Sequence, residues 1–206
     1  MAGLYIHIPF CKSRCIYCGF YSTTCHEMMD EYVGALCREM ELRILPSIPH
    51  PTLSTIYLGG GTPSQLTPTL LHKLFEHIYN IYKVEDGAEI TMECNPDDMI
   101  ETYASTLAKL PVNRVSMGAQ TFSDDRLHFL RRRHTSHQVK EAVDRLRKNS
   151  IQNISIDLMF GFPGETIKEW EQDISAALAL DVEHISAYCL MVEEGTPLYQ
   201  WTMDNA

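Results

Sequence analysis

Short β-rich runs recur along the whole chain and alternate with amphipathic helical patterns, and this alternation restricts the fold more than any single residue does. The runs are "YIHIP" (5–9), "TIYL" (55–58), "EITMEC" (89–94), "RVSMG" (114–118), "ISIDLMF" (154–160) and "HISAYCLM" (184–191). They are rich in Ile, Val, Tyr and Thr and too short to be helices. Between them, the stretch 27–45 carries Met28, Tyr32, Ala35, Leu36, Met40 and Leu42 on a helical period. Thr67 followed by Pro68 marks a helix start, after which Leu70, Leu71, Leu74, Phe75, Ile78 and Ile81 form one apolar face. Ser136 is expected to cap a helix over 137–149 with Val139, Val143 and Leu146 facing inward. Thr166 and Glu169 make a capping box ahead of Trp170, Ile174, Ala177 and Leu178.

Strand–helix alternation calls for parallel strands joined by right-handed crossovers. Six strands are too few for a closed eight-stranded barrel, which leaves an open doubly wound sheet or a partial barrel. In either, a ligand sits at the carboxyl ends of the strands. The 206 residues suffice for one domain with a full core, and no linker, repeat or low-complexity tract divides them.

A formal net charge of -10 argues against a nucleic-acid partner, which would select a basic face. The one basic run, Arg131–Arg132–Arg133, is short and has no interleaved aromatics. No apolar run approaches the roughly 20 residues of a membrane span. "MAGLYIHIPF" does not read as a secretion signal, so a reducing, cytoplasmic setting is expected. In that setting the seven cysteines serve as metal ligands, redox groups or core filler rather than as disulfides.

The polar residues of interest fall at the same end of each strand. Strand 1 leads into Cys11, Cys15 and Cys18, and strand 2 into Gly59, Gly60, Gly61 and Thr62. Strand 3 ends at Glu93, strand 4 at Gln120, and strand 5 carries Asp157 in an otherwise apolar run where a buried carboxylate needs a partner. The C-x3-C-x2-C spacing suits an iron–sulfur cluster held by three thiolates with one iron left open. A zinc site completed by His7, Cys25 or His26 is the lesser alternative. The glycines permit close backbone approach to a ligand or merely a tight turn. Arg132 belongs to the basic run and could equally well face solvent. Cys25, Cys37, Cys94 and Cys189 are read as small core residues.

Four motifs taken together, "YIHIPFCKSRCIYCGF", "GGGTPS", "GAQTF" and "DLMFGFPGET", resemble the radical S-adenosylmethionine (SAM) superfamily. The likeness is to the branch containing oxygen-independent coproporphyrinogen III oxidase and the HemW-like haem chaperones, and it covers nearly the whole chain. It implies an α/β fold, the (β/α)6 partial barrel of parallel strands. It also implies a [4Fe–4S] cluster on Cys11, Cys15 and Cys18, with SAM chelating the fourth iron. By the same resemblance Gly60, Gly61, Thr62 and Glu93 contact SAM, Gln120, Arg132 and Asp157 match positions that contact a second SAM in the oxidase, and Tyr5 and Tyr17 are aromatic contacts near the cluster. No catalytic residue is assigned. The oxidase pattern has a further cysteine two positions after the third; Phe20 stands there, as in the HemW-like group. The expected function is therefore a haem chaperone, with the decarboxylating oxidase and a non-catalytic cluster- or haem-binding module as alternatives. Expected partners are haem or a porphyrin, an electron donor such as a flavodoxin or ferredoxin, and a haem acceptor protein. Residues 1–206 are expected to form the radical SAM core without the family's C-terminal region.

Overall fold

The computed structural model describes residues 2–44 and 52–205. Six strands, β1 (Ala2–Ile8), β2 (Leu53–Gly60), β3 (Val84–Cys94), β4 (Arg114–Gln120), β5 (Asn153–Phe160) and β6 (His184–Cys189), form one sheet in the order β1-β2-β3-β4-β5-β6. Every neighbouring pair is parallel. A doubly wound sheet reverses its strand order at a switch point. Here the order never reverses, so right-handed crossovers place all the connecting helices on one face. That eliminates the doubly wound alternative and leaves the partial barrel.

The crossovers carry α1 (Met29–Leu42), α2 (Pro68–Ile81), α3 (Glu101–Leu107), α4 (Asp124–Phe129), α5 (Ser136–Lys148) and α6 (Ile167–Leu178), and α7 (Pro197–Asp204) follows β6. At α2, Thr67 Oγ1 accepts the Leu70 N–H at 3.3 Å, as its sequence predicts. At α6 the capping box is complete: Thr166 Oγ1 accepts from Glu169 N, and Glu169 Oε2 accepts from Thr166 N. Helix α5 begins one residue earlier than expected. Thr135, not Ser136, is its N-cap, because the Gln138 side chain reaches back to the Thr135 N–H at 2.8 Å. In α1 the phase differs too. Met29, Val33, Cys37 and Met40 form the buried stripe, while Met28 and Leu42 are exposed. Residue 45, the end of the expected helix, lies outside the described residues.

Strand alternation divides the sheet. Ile6, Ile8, Ile56, Leu58, Met92, Met117, Ile156 and Leu158 point to the helices and make one continuous core with them. The residues between them point to the other face, into the barrel interior. Pair by pair, Tyr5 lies beside Tyr57, Tyr57 beside Thr91, Glu93 beside Ser116, Gly118 beside Asp157, and Asp157 beside Ser186. A second small core of Ile16, Leu130, Phe162, Leu190 and Leu198 sits apart from the first. It joins the loop after β1 to α7 and to the loops after β5 and β6.

Candidate functional site

The cysteine loop leaves β1 at its carboxyl end and is closed at its base. Cys11 N donates to Thr23 O and Thr23 N to Pro9 O, both at 2.8 Å, which ties the returning chain to the departing one. Farther out, Ile16 N donates to Leu130 O at 3.2 Å, and Leu198 N donates to Ile16 O at 2.9 Å. With Ile16 buried in the second core, the loop is held from two sides. Cys11, Cys15 and Cys18 are all half-buried free thiols. Thr62 Oγ1 donates to Cys11 Sγ at 3.4 Å, and Arg132 Nη1 donates to Cys15 Sγ at 3.5 Å. Burial raises the Cys18 thiol, opposed by the Phe20 amide; its sister cysteines push it further up.

The histidines a zinc site would draw on are engaged elsewhere. His26 Nε2 donates to Cys11 O and His7 Nε2 to Tyr21 O, each at 3.0 Å, which leaves His7 Nδ1 to accept from Tyr5 Oη. Among the described residues no three His, Cys, Asp or Glu side chains converge as ligands of a single ion would. Cys25 and Cys189 are exposed, correcting the expectation that both are core residues; Cys37 and Cys94 are buried as expected.

The glycine turn after β2 presses against the base of the cysteine loop. Gly60 has φ 116°, and a Cβ there would lie 2.5 Å from the His7 ring. A Cβ on Gly61 would lie 2.7 Å from the Pro9 backbone, and Gly61 N donates to Ile8 O at 2.8 Å. Glycine is therefore required for contact at both positions, not only for turning. Across the turn, Glu93 accepts from Tyr57 Oη at 2.8 Å and from Gly60 N at 3.1 Å. Burial raises the Glu93 carboxyl, and those two donors oppose the shift.

On β4 and β5 the site continues. Gln120 is buried with φ 67°, and its side chain folds back over Gly118 beside the Arg132 guanidinium. Arg132 is not a surface residue of a basic run. Its Nη2 donates to Asn95 Oδ1 and to Gly118 O, both at 2.7 Å, and its Nε is buried without a partner among the described residues. Arg133 beside it is paired with Asp97 at 2.9 Å and Asp98 at 3.0 Å. The run thus offers no polyanion patch. Asp157 faces the interior beside Ser186, where burial raises its carboxyl and the neighbouring Ser186, Arg114, His184 and Ser116 oppose the shift. That partnership answers the cost of a carboxylate in an apolar-looking strand. Tyr17 is partly buried against the second core, while Tyr5 stacks on Tyr57 with ring centroids 6.1 Å apart.

The structure thus gathers the sequence-selected residues along one rim and the interior wall below it. Two residues that pattern reading missed hold the others in place. Tyr57 fixes Glu93, and Asn95 fixes Arg132. Tyr57 was traceable, since it shares the strand phase of Tyr5 and Glu93. Asn95 had only its position after β3 to mark it, next to Pro96.

Residues 5–177 match the family described as the radical SAM superfamily. A protein named heme chaperone HemW from Bacillus subtilis is 42% identical over 201 residues, covering 97% of this chain and 53% of that protein. The protein of the same name from Lactococcus lactis is 37% identical over 193 residues, covering 93% and 50%. The chain therefore spans about half the length of these curated relatives. Among solved structures, coproporphyrinogen III oxidase (HemN) from Escherichia coli superposes with a TM-score of 0.85 at 23% identity, covering 98% of this chain and 51% of that one. The radical SAM methyltransferase TsrM from Kitasatospora setae, solved with cobalamin and a [4Fe–4S] cluster, gives 0.67 at 17% identity, covering 95% and 38%. At these identities the structures speak for the fold alone.

Proposed function

Because this chain belongs to the radical SAM superfamily, we propose that Cys11, Cys15 and Cys18 hold a [4Fe–4S] cluster, that the surrounding rim binds SAM, and that the protein handles haem as its HemW-named relatives do. Membership implies the cluster and SAM. When bound together, they supply one-electron reductive cleavage of SAM.

The observation that carries the cluster assignment is the donor set. Two of the three half-buried thiols of one loop receive hydrogen bonds from side chains outside it, Cys11 from Thr62 and Cys15 from Arg132. Donors aimed at sulfur suit thiolates, the form that ligates iron. For SAM, Gly60, Gly61 and Thr62 offer backbone at the rim, held against the base of the cysteine loop because Cβ atoms at the two glycines would strike His7 and Pro9. Glu93 supplies a carboxylate to accept from the ligand's ammonium or hydroxyl groups, and the orphaned Arg132 Nε is a donor awaiting an acceptor. Gln120, Asp157, Tyr5 and Tyr17 complete the wall. Asp157 adds a second carboxylate, Gln120 a carboxamide, and the tyrosines flat faces beside the cluster.

The haem-chaperone reading rests on the names of the relatives and on Phe20, a 71% exposed ring where the oxidase pattern has a thiol. Anaerobic reconstitution should give about four irons per chain, as one cubane cluster requires. Added reductant and SAM should then yield methionine and 5′-deoxyadenosine. The protein should bind haem and leave coproporphyrinogen III unconverted. Stoichiometric zinc in place of iron would sink the cluster assignment. Sustained carbon dioxide release from coproporphyrinogen III would assign the chain to the oxidase instead.

A further inference from the structure

The three thiols do not have equivalent surroundings. Cys11 Sγ receives a hydrogen bond from a neutral hydroxyl, Thr62 Oγ1. Cys15 is the one of the three that, among the described residues, receives a hydrogen bond from a cation, Arg132 Nη1 at 3.5 Å. The adjacent Arg133 spends its charge on two carboxylates. Arg132, among the described residues, has no carboxylate within 4.0 Å and is held by neutral acceptors only, Asn95 Oδ1 and Gly118 O. Its positive charge is therefore fixed in place and not cancelled by a contact ion pair.

We propose that Arg132 sets the reduction potential of the cluster by holding an uncancelled positive charge against one of its three thiolates, with Asn95 as the positioning residue that keeps it there. The proposal rests on the cluster assignment above. Reduction adds one electron to the cluster, supplied in a titration by a chemical reductant; no bond forms or breaks, and Arg132 stays protonated. The reduced state carries one more negative charge, so a nearby cation favours it, and hydrogen bonds to cluster sulfurs act in the same direction. Enclosure magnifies the effect, because a charge interaction grows as the surrounding dielectric falls. Arg132 thereby makes the electron easier to accept at the cluster edge nearest Cys15.

The test is a potentiometric titration of the reconstituted protein, followed by the electron paramagnetic resonance of the reduced cluster. Arg132→Met should shift the midpoint to a more negative potential, by about tenfold in the reduction equilibrium, which is about 59 mV for a one-electron couple. Arg132→Lys should recover part of the shift, since it keeps the charge and loses the fork. Asn95→Ala should give a smaller shift of the same sign. A merely structural role would lower iron content without this ordering of potentials. Arg132→Met with full iron and the parent potential overturns the proposal. Should that variant fail to take up iron, parent potentials in both Arg132→Lys and Asn95→Ala overturn it. Failure of the parent itself to take up iron removes the cluster assignment, a separate outcome from an unmoved potential.

Discussion

The two faces of the sheet obey different rules although they share every strand. On the helix side Ile8, Ile56, Leu58, Met92, Met117 and Ile156 are essentially inaccessible and pack as one core. On the interior side the same strands present Tyr5, His7, Tyr57, Glu93, Arg114, Ser116, Asp157 and Ser186, joined by pairing register and hydrogen bonds. Parallel sheets are usually covered on both faces and read as unbroken apolar runs. Among the described residues the helices cover only one face, so the strands alternate, and the interior phase carries the polar residues. One face makes the fold stable; the other makes it useful.

Substitutions should separate the two faces. The largest effect belongs to the rim: changing Cys11, Cys15 or Cys18 to Ala should abolish iron binding, while Cys25→Ala leaves about four irons per chain on chemical analysis. Retained iron in all three single variants would remove the functional reading of that rim. Next comes the helix side. Leu58→Ala, at a fully buried position, should cost about 2–5 kcal/mol in urea unfolding through lost burial and a residual cavity. A loss below 1 kcal/mol would mean the core under β2 is looser than its burial indicates.

The interior side should respond in binding rather than in folding. Glu93→Gln keeps an acceptor for Tyr57 but loses the charge, and should weaken SAM binding by about 1.5–3 kcal/mol in calorimetry. An unchanged affinity would place the ligand elsewhere.

A pH-dependent effect, small near neutrality, sharpens the contrast at a buried polar residue of the loop between α4 and α5. His134 is 3% exposed and donates from Nε2 to Ala119 O, and burial, with Arg132 and Arg133 adding repulsion, lowers it to about 3 while Asp124 opposes. Its folded pKa lies below its unfolded value, so the unfolded chain takes up the proton first as pH falls. The stability held by the neutral ring is complete above about pH 6.5 and declines by about 1.4 kcal/mol per pH unit from there toward pH 3. His134→Gln should remove that part of the slope. Parallel stability curves for parent and variant between pH 7 and 5 would contradict it.

Much of this was legible in the chain. The alternation of β-rich runs and capped helices dictated six parallel strands, because short β-branched runs and the Thr67-Pro68 and Thr166-Glu169 signals act locally. The cysteine spacing and the glycine turn also carry their meaning within a few residues. Where reading failed, the deciding partner was distant. The stripe of α1 is set by what packs against it, so Met29 and Val33 are buried and Met28 is not. Cys25 and Cys189 look like core filler by residue type, yet they lie on loops and an edge strand exposed to solvent.

What the sequence alone determined, then, is the six strands, four of the helices and the residue types at the strand ends, since propensity, capping and motif spacing are local properties, whereas α3, α4 and α7 emerged only in the structure. What only the tertiary structure decided is which charges are spent and which remain. Arg132 and Arg133 are adjacent and chemically identical. One is neutralised by Asp97 and Asp98, and the other is aimed at Cys15, 117 positions away in sequence. No local rule distinguishes them. The difference arises in the loop between α4 and α5, where Arg131 turns the chain at φ 58° and the next two side chains meet different neighbours.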